Sequence, residues 1–267
     1  MRARAARGLA VALLLAAASA CEIVRPLDPH PDVVALAVLL VAGEREARML
    51  AVHPHRPSDQ AAPQVTAVLR GPGWEANFRY TLDLRACTLR DRWPDPAKCL
   101  AADLPEPIRP GEKYGIRGDA PLGPFTGEAT VPEVPLLLEP PASLRVVVRN
   151  FLVPFDIPLR YHAGPDIGTL LVDLKDFIGG SVEGSFPHPV DEGAETDTIT
   201  ILPNGVSVRF SLHLLGIGWN YTNFLDKVGS NPVQRPWPSF GIEGEGAYGY
   251  FDGVTSSRIA QVRVERE

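Results

Sequence analysis

The sequence predicts a mainly β protein, an antiparallel sandwich followed by a second β-rich domain with one short helix. Three observations predict it. Glycine and proline, 24 and 27 of 267 residues, are both helix breakers and together make up about a fifth of the chain. Apolar residues fall in short runs that are β-branched or alternate with polar ones, which is the period of a strand. One stretch, residues 220–228, keeps apolar side chains at helical spacing instead. A hydrophobic fraction of 45% with 22% charged residues suits a folded core rather than disorder. The formal net charge of −6 argues against a nucleic-acid partner.

The elements follow in order. Residues 33–41 are continuously apolar and rich in valine, and the polar turn Gly43-Glu44-Arg45-Glu46 returns the chain through residues 47–53. That is a buried hairpin. Residues 65–69 form another strand, ended by Gly71-Pro72-Gly73, and residues 74–84 alternate bulky and polar side chains as a strand does. Pro110-Gly111-Glu112-Lys113-Tyr114 sets a tyrosine three residues after a proline–glycine turn. This resembles the corner of fibronectin type III and immunoglobulin-like sandwiches, in which the tyrosine hydroxyl ties the turn back to the backbone. Residues 33–135 are therefore expected to form an antiparallel sandwich of that kind.

Residues 131–141 hold four prolines and read as a linker to a second domain at 142–267. There, residues 144–148, 170–174, 198–202 and 206–215 are strand-like, and Pro203-Asn204-Gly205 predicts a hairpin between the last two. Tyr221, Phe224, Leu225 and Val228 share one face of the predicted helix, with Gly229 at its expected C-terminal cap. Residues 259–264 close the chain as a strand.

The N-terminus carries an address. Arg2, Arg4 and Arg7 precede the apolar residues 9–18, and Ala18-Ser19-Ala20 lead into Cys21. Basic, apolar and small-residue segments in that order make residues 1–20 a secretory signal, too short to span a membrane. The cysteine at its end resembles the lipobox of bacterial lipoproteins, with Ala18 where leucine is usual. The resemblance implies cleavage before Cys21 and acylation of that residue, anchoring the chain in membrane lipid. Glu22, rather than aspartate, follows the cysteine, which implies delivery to the outer membrane. Cleavage would take the formal charge from −6 to −9, since residues 1–20 hold three arginines and no acids. Residues 21–32, with Pro26, Pro29 and Pro31, read as a stiff tether. Of the two remaining cysteines, Cys87 and Cys99 are separated by a polar, turn-rich segment. In an oxidising compartment they are expected to form a disulfide.

A lipobox, a Pro-Gly-x-x-Tyr turn, a strand at residues 206–213, Tyr221-Thr222-Asn223-Phe224-Leu225 and Gly244-Glu245-Gly246-Ala247-Tyr248-Gly249-Tyr250-Phe251 follow one another along the chain. That order resembles the domain-of-unknown-function lipoproteins found beside TonB-linked outer-membrane receptors in Bacteroidota and their relatives. The resemblance implies an outer-membrane, lipid-anchored accessory protein, non-enzymatic, that binds such a transporter or its ligand. It supplies no catalytic residues.

Chemical motifs are sparse. Gly244 to Gly249 spell G-x-G-x-x-G, but Glu245 and the aromatic neighbours suit close strand packing better than a phosphate loop. His53 and His55, with Asp59 nearby, are the residue types of a metal half-site; prolines and Arg56 crowd them. Residues 191–197, with Asp173 and Asp176, form an acidic loop without EF-hand spacing. His213 alternates with Leu212 and Leu214 and is read as facing outward. Glu243 and Glu245 are spaced to share a strand face, a separation that does not exclude the carboxylate pair of the alternative function, a secreted hydrolase on a β scaffold. No cofactor, metal ligand or catalytic residue is assigned. Aromatic residues concentrate near the C-terminus, and Trp237, Phe240, Tyr248 and Tyr250 are the candidate binding residues, their rings opened by intervening glycines.

Overall fold

Strands β1 (Val34–Val41) and β2 (Glu46–Val52) form the expected antiparallel hairpin, with Val34, Leu36, Val38 and Leu40 all turned into the core. The computed structural model describes residues 33–53, 63–82, 87, 97–150, 152–177, 180–183, 194–203, 209–230 and 239–267. Strands β3 (Thr66–Gly71), β4 (Trp74–Asn77), β5 (Arg79–Thr81), β6 (Ala97–Asp103), β7 (Lys113–Ala120) and β8 (Gly123–Thr130) complete the first half. Then come β9 (Leu136–Glu139), β10 (Ser143–Val148), β11 (Phe155–His162), β12 (Ile167–Lys175), β13 (Gly180–Glu183) and β14 (Ala194–Pro203). Strand β15 (Arg209–Gly218) leads into helix α1 (Trp219–Ser230), and β16 (Ser239–Phe240), β17 (Glu243–Gly244), β18 (Ala247–Ser256) and β19 (Ala260–Arg266) end the chain.

Two cores result. The first lies between β18-β1-β2-β6-β5 and the sheet β17-β8-β7-β3-β4, filled by Leu36, Met49, Leu69, Tyr114, Phe125 and Phe251. The second lies between β10-β19-β15, with β12 beside β15, and the sheet β13-β14-β11-β9. Its filling includes Leu137, Ile157, Ile199, Phe210, Leu212 and Val262. Full burial of each such side chain contributes about 1.5–3 kcal/mol. The tyrosine corner is present: the Tyr114 hydroxyl accepts the Arg109 backbone N–H at 2.9 Å, and Tyr114 is buried.

The cores do not follow chain order. Strand β18 pairs in parallel with β1 through residues 247–254, and through residues 254–256 it pairs with β15. A ten-stranded sheet thus serves both cores, and Ile242, Ala247 and Phe251 belong to the first. One sheet of the described residues therefore holds strands from both sides of residues 135–142, where the sequence suggested a division. The expected linker is itself packed. Val131 is buried in the first core and Leu137 in the second, and β9 pairs with β11.

Three local expectations also change. The hairpin across residues 203–205 is not one, because β14 is flanked by β11 and β13 while β15 pairs with β12, β18 and β19. Ile199 and Ile201 on β14 and Phe210 and Leu212 on β15 enter the same core from opposite sheets. An asparagine–glycine signal is local, whereas the partner is chosen by which apolar faces must meet. The strand expected over 74–84 is broken at Phe78, which is buried, into β4 and the short β5. Helix α1 runs to Ser230, past Gly229.

Candidate functional site

Helix α1 begins where β15 ends, and its first turn contains no acidic residue of its own. Its free N–H groups need acceptors. Asp252, from the middle of β18, supplies one: its Oδ2 accepts the Tyr221 N–H at 2.7 Å, while Oδ1 accepts the Gly253 N–H at 2.8 Å. Gly218 makes room for this, since a Cβ there would lie 2.0 Å from Asp252 Oδ1. The Thr222 hydroxyl donates to the Gly218 carbonyl at 3.0 Å and lies 2.8 Å from the Thr169 hydroxyl on β12. Tyr250 supports the helix from below, edge-on to Tyr221 at 4.9 Å and tilted against Phe224 at 5.1 Å.

Asp252 is 2% exposed. Burial pushes its carboxyl from an ordinary 3.8 up to about 6, against the opposing pull of the Tyr221, Gly253 and Asn220 backbone hydrogen bonds. Desolvation of the charged form outweighs the hydrogen bonds to it. Burial likewise pushes the Tyr250 phenol up, with Tyr221 and Asp252 adding to the effect.

A cleft of about 300 Å³ opens beside this helix start. Trp219, Asn220 and Asp252 line it together with Lys113, Glu128, Thr130 and Asp166. Trp219 is 44% exposed. A second cleft, of about 480 Å³, is lined by Arg70, Arg117, Thr126 and Glu243, by Ile116 and by glycines 115, 127 and 241. Glu128 lines both. Its side chain pairs with Lys113, and its backbone N–H donates to the Gly241 carbonyl at 3.1 Å. Of the second cleft's cations, Arg70 pairs with Glu75 on β4 at 3.0 Å and Arg117 with the same carboxylate at 2.9 Å. These cations are thus paired within the protein, each with a carboxylate.

The aromatic residues singled out by sequence are placed as follows. Tyr248 is 6% exposed, and Phe240 and Tyr250 are half-buried, Tyr250 packed under the helix. Trp237 lies outside the described residues, as does Cys21. Among the described aromatic residues of this region Trp219 is exposed; it lies one residue past the end of a strand, where alternation does not say which way a side chain points. Cys87 and Cys99 form a disulfide with Cα atoms 5.7 Å apart.

Other motifs resolve into structure. Gly244, Gly246 and Gly249 span β17, a turn and β18, with a strand where a phosphate loop needs a helix. Gly249 has φ +126°, and a Cβ there would lie 2.0 Å from the Leu36 carbonyl oxygen on the parallel neighbour. His213, expected to face outward, is 1% exposed. Its Nε2 lies 3.0 Å from Asp173 Oδ2 across the β12–β15 ladder, and burial lowers its proton affinity against the pull of Asp173. His53 is buried with Nδ1 3.2 Å from the Val33 carbonyl; His55 and Asp59 lie outside the described residues. Of the acidic loop, residues 191–193 are also outside, and Asp197 Oδ1 accepts the Thr198 N–H at 2.6 Å. Among the described residues no three His, Cys, Asp or Glu side chains are grouped to hold a metal ion. Glu243 and Glu245 are exposed, and Glu243 lines the second cleft while Glu245 lines neither of these two.

Two cores between packed sheets and a tyrosine corner define an all-β sandwich protein. No protein-family model matches the chain, and no curated protein matches it either. Among solved structures it is similar to tandem Ig repeats of Dlar, at 10% identity and TM-score 0.30, over 87% of this chain and 98% of that one. It is also similar to the N-terminal Ig1-2 module of the Drosophila receptor protein tyrosine phosphatase DLAR, at 12% identity and TM-score 0.32, over 88% and 100%. The D0-D1 domain of intimin matches at 7% identity and TM-score 0.21, over 84% and 96%. The all-β class rests on the sheets themselves.

Proposed function

We propose that this chain is an exported accessory lipoprotein of the bacterial outer membrane, anchored through acylated Cys21, that works by binding rather than by catalysis. The partner is a TonB-linked transporter or the ligand of that transporter. The run from Arg2 through the apolar segment to Ala18-Ser19-Ala20-Cys21 carries this reading, because each part has a role in export and lipid attachment. The Cys87–Cys99 bond supports it, since such bonds persist outside the reducing cytosol. Binding is supported by how the titrating groups are engaged. Both Asp252 oxygens accept backbone N–H groups, and His213 is closed into a strand pair with Asp173.

Intact-mass and peptide mass spectrometry of the membrane-extracted protein tests the anchor. Cys21 is expected as the first residue, carrying a diacylglyceryl group and an amide-linked acyl chain, and Cys21→Ser is expected to abolish both the modification and the cleavage. A mature N-terminus elsewhere, with Cys21 as a free thiol, overturns the anchor. Mild cross-linking in native outer membranes is expected to join the protein to a TonB-linked receptor.

A further inference from the structure

We propose that the two clefts sharing Glu128 form one groove that binds a neutral oligosaccharide, with a sugar ring stacked on Trp219. This deepens the binding reading and rests on it.

The ring is presented rather than merely uncovered. Trp219 opens α1, and its backbone is fixed by the Asp252 cap two residues on and by Gly168, where a Cβ would lie 2.9 Å from the Trp219 Cα. A large amphipathic ring on a rigid mount gives contact area at little entropic cost.

Charge then selects the ligand class. Among the described lining residues, Lys113, Arg70 and Arg117 stand against the exposed carboxylates Glu128, Asp166 and Glu243. The cations are already paired, Lys113 with Glu128, and Arg70 and Arg117 with Glu75. A polyanion would meet as much repulsion as attraction, and so would a polycation. The lining offers both donors and acceptors. A hydroxyl is donor and acceptor at once, so a chain of hydroxyls satisfies such a lining where a single-sign ligand does not.

Polarity excludes a lipid ligand. Trp219 is the large apolar surface it exposes, too little for an acyl chain.

The test uses detergent-solubilised full-length protein, titrated with maltohexaose, cellohexaose, laminarihexaose and xylohexaose and read by calorimetry and tryptophan fluorescence. At least one hexasaccharide is expected to bind. Trp219→Ala is expected to weaken that binding about tenfold or more, and Trp219→Phe, which keeps a ring, by only a few-fold. Glu128→Gln is expected to weaken it as well. Raising salt from about 50 to about 200 mM is expected to change the affinity less than about twofold, because no phosphate-like charge is neutralised. Binding by none of the four sugars overturns the proposal. So does sugar binding that survives both Trp219→Ala and Glu128→Gln, and so does capture of heparin alone with steep salt dependence. Should Trp219→Ala fail to fold, Trp219→Phe and Glu128→Gln decide the matter. The Cys21 lipid is measured on the same preparation. A lipidated protein that ignores sugars refutes the groove alone, and a sugar-binding protein without lipid refutes the anchor alone.

Discussion

Asp252→Asn separates two opposed effects at the helix start. A carboxylate accepting helix N–H groups is ordinarily held below its usual proton affinity, and its contribution fades in acid. Burial reverses that order here, with the carboxyl at about 6 against 3.8 when unfolded, so the folded state binds the proton more tightly. The stabilisation is therefore fully present below pH 3.8 and is lost as pH rises through about 6. At 1.36 kcal/mol per unit the full effect is about 3 kcal/mol, and about 2 kcal/mol of it falls between roughly pH 4.5 and 7. With the side chain 2% exposed, solvent screening is slight. Asparagine keeps an acceptor for the Tyr221 N–H but turns an amide donor toward the Gly253 N–H, or the reverse, a loss of about 1–3 kcal/mol that does not vary with pH. Urea unfolding of both proteins at stepped pH isolates Asp252, because the other titrating groups cancel in the difference. Wild type is expected to gain about 2 kcal/mol on the variant between pH 7 and 4.5. A pH-independent difference would refute the reasoning. A gain on raising pH would show that the backbone hydrogen bonds, not desolvation, set the carboxyl's affinity.

Two further predictions concern the scaffold. Tyr114→Phe removes the hydroxyl that accepts the Arg109 N–H across the corner, and is expected to lower stability by about 1–2 kcal/mol in urea without changing the far-ultraviolet spectrum. Gly249→Ala drives a methyl into the Leu36 carbonyl at a φ of +126°, and is expected to cost more than about 3 kcal/mol, read as a large loss of soluble yield; a yield near wild type would show that β1 and β18 can part.

Much of the fold was legible in the chain because its causes are local. Alternation and β-branching placed β1, β2, β3 and β10 within a residue or two, and the 3.6-residue spacing placed α1. Pro110-Gly111 with Tyr114 announced the corner, and a polar connection of fixed length announced the disulfide. The candidate site was less legible. Its aromatic residue follows a strand end, its buried acid is supplied by a strand 33 positions beyond Trp219, and the rest of its lining includes residues of β7 and β8 more than 80 positions before.

The sequence by itself determined the secondary-structure alphabet and the all-β class, and the proposal of export and anchoring rests on residues 1–21. Each is written in neighbouring residues, where sterics, periodicity and charge act over a few positions. Tertiary structure alone decided which strands became neighbours. It set residues 247–254 parallel to β1, drew β14 away from β15, turned His213 and Tyr248 inward and left Trp219 open. Those outcomes depend on which apolar faces meet over long separations. Burial then converted Asp252 from a carboxylate unremarkable in the sequence into the cap of a helix that contains no acid in its own first turn.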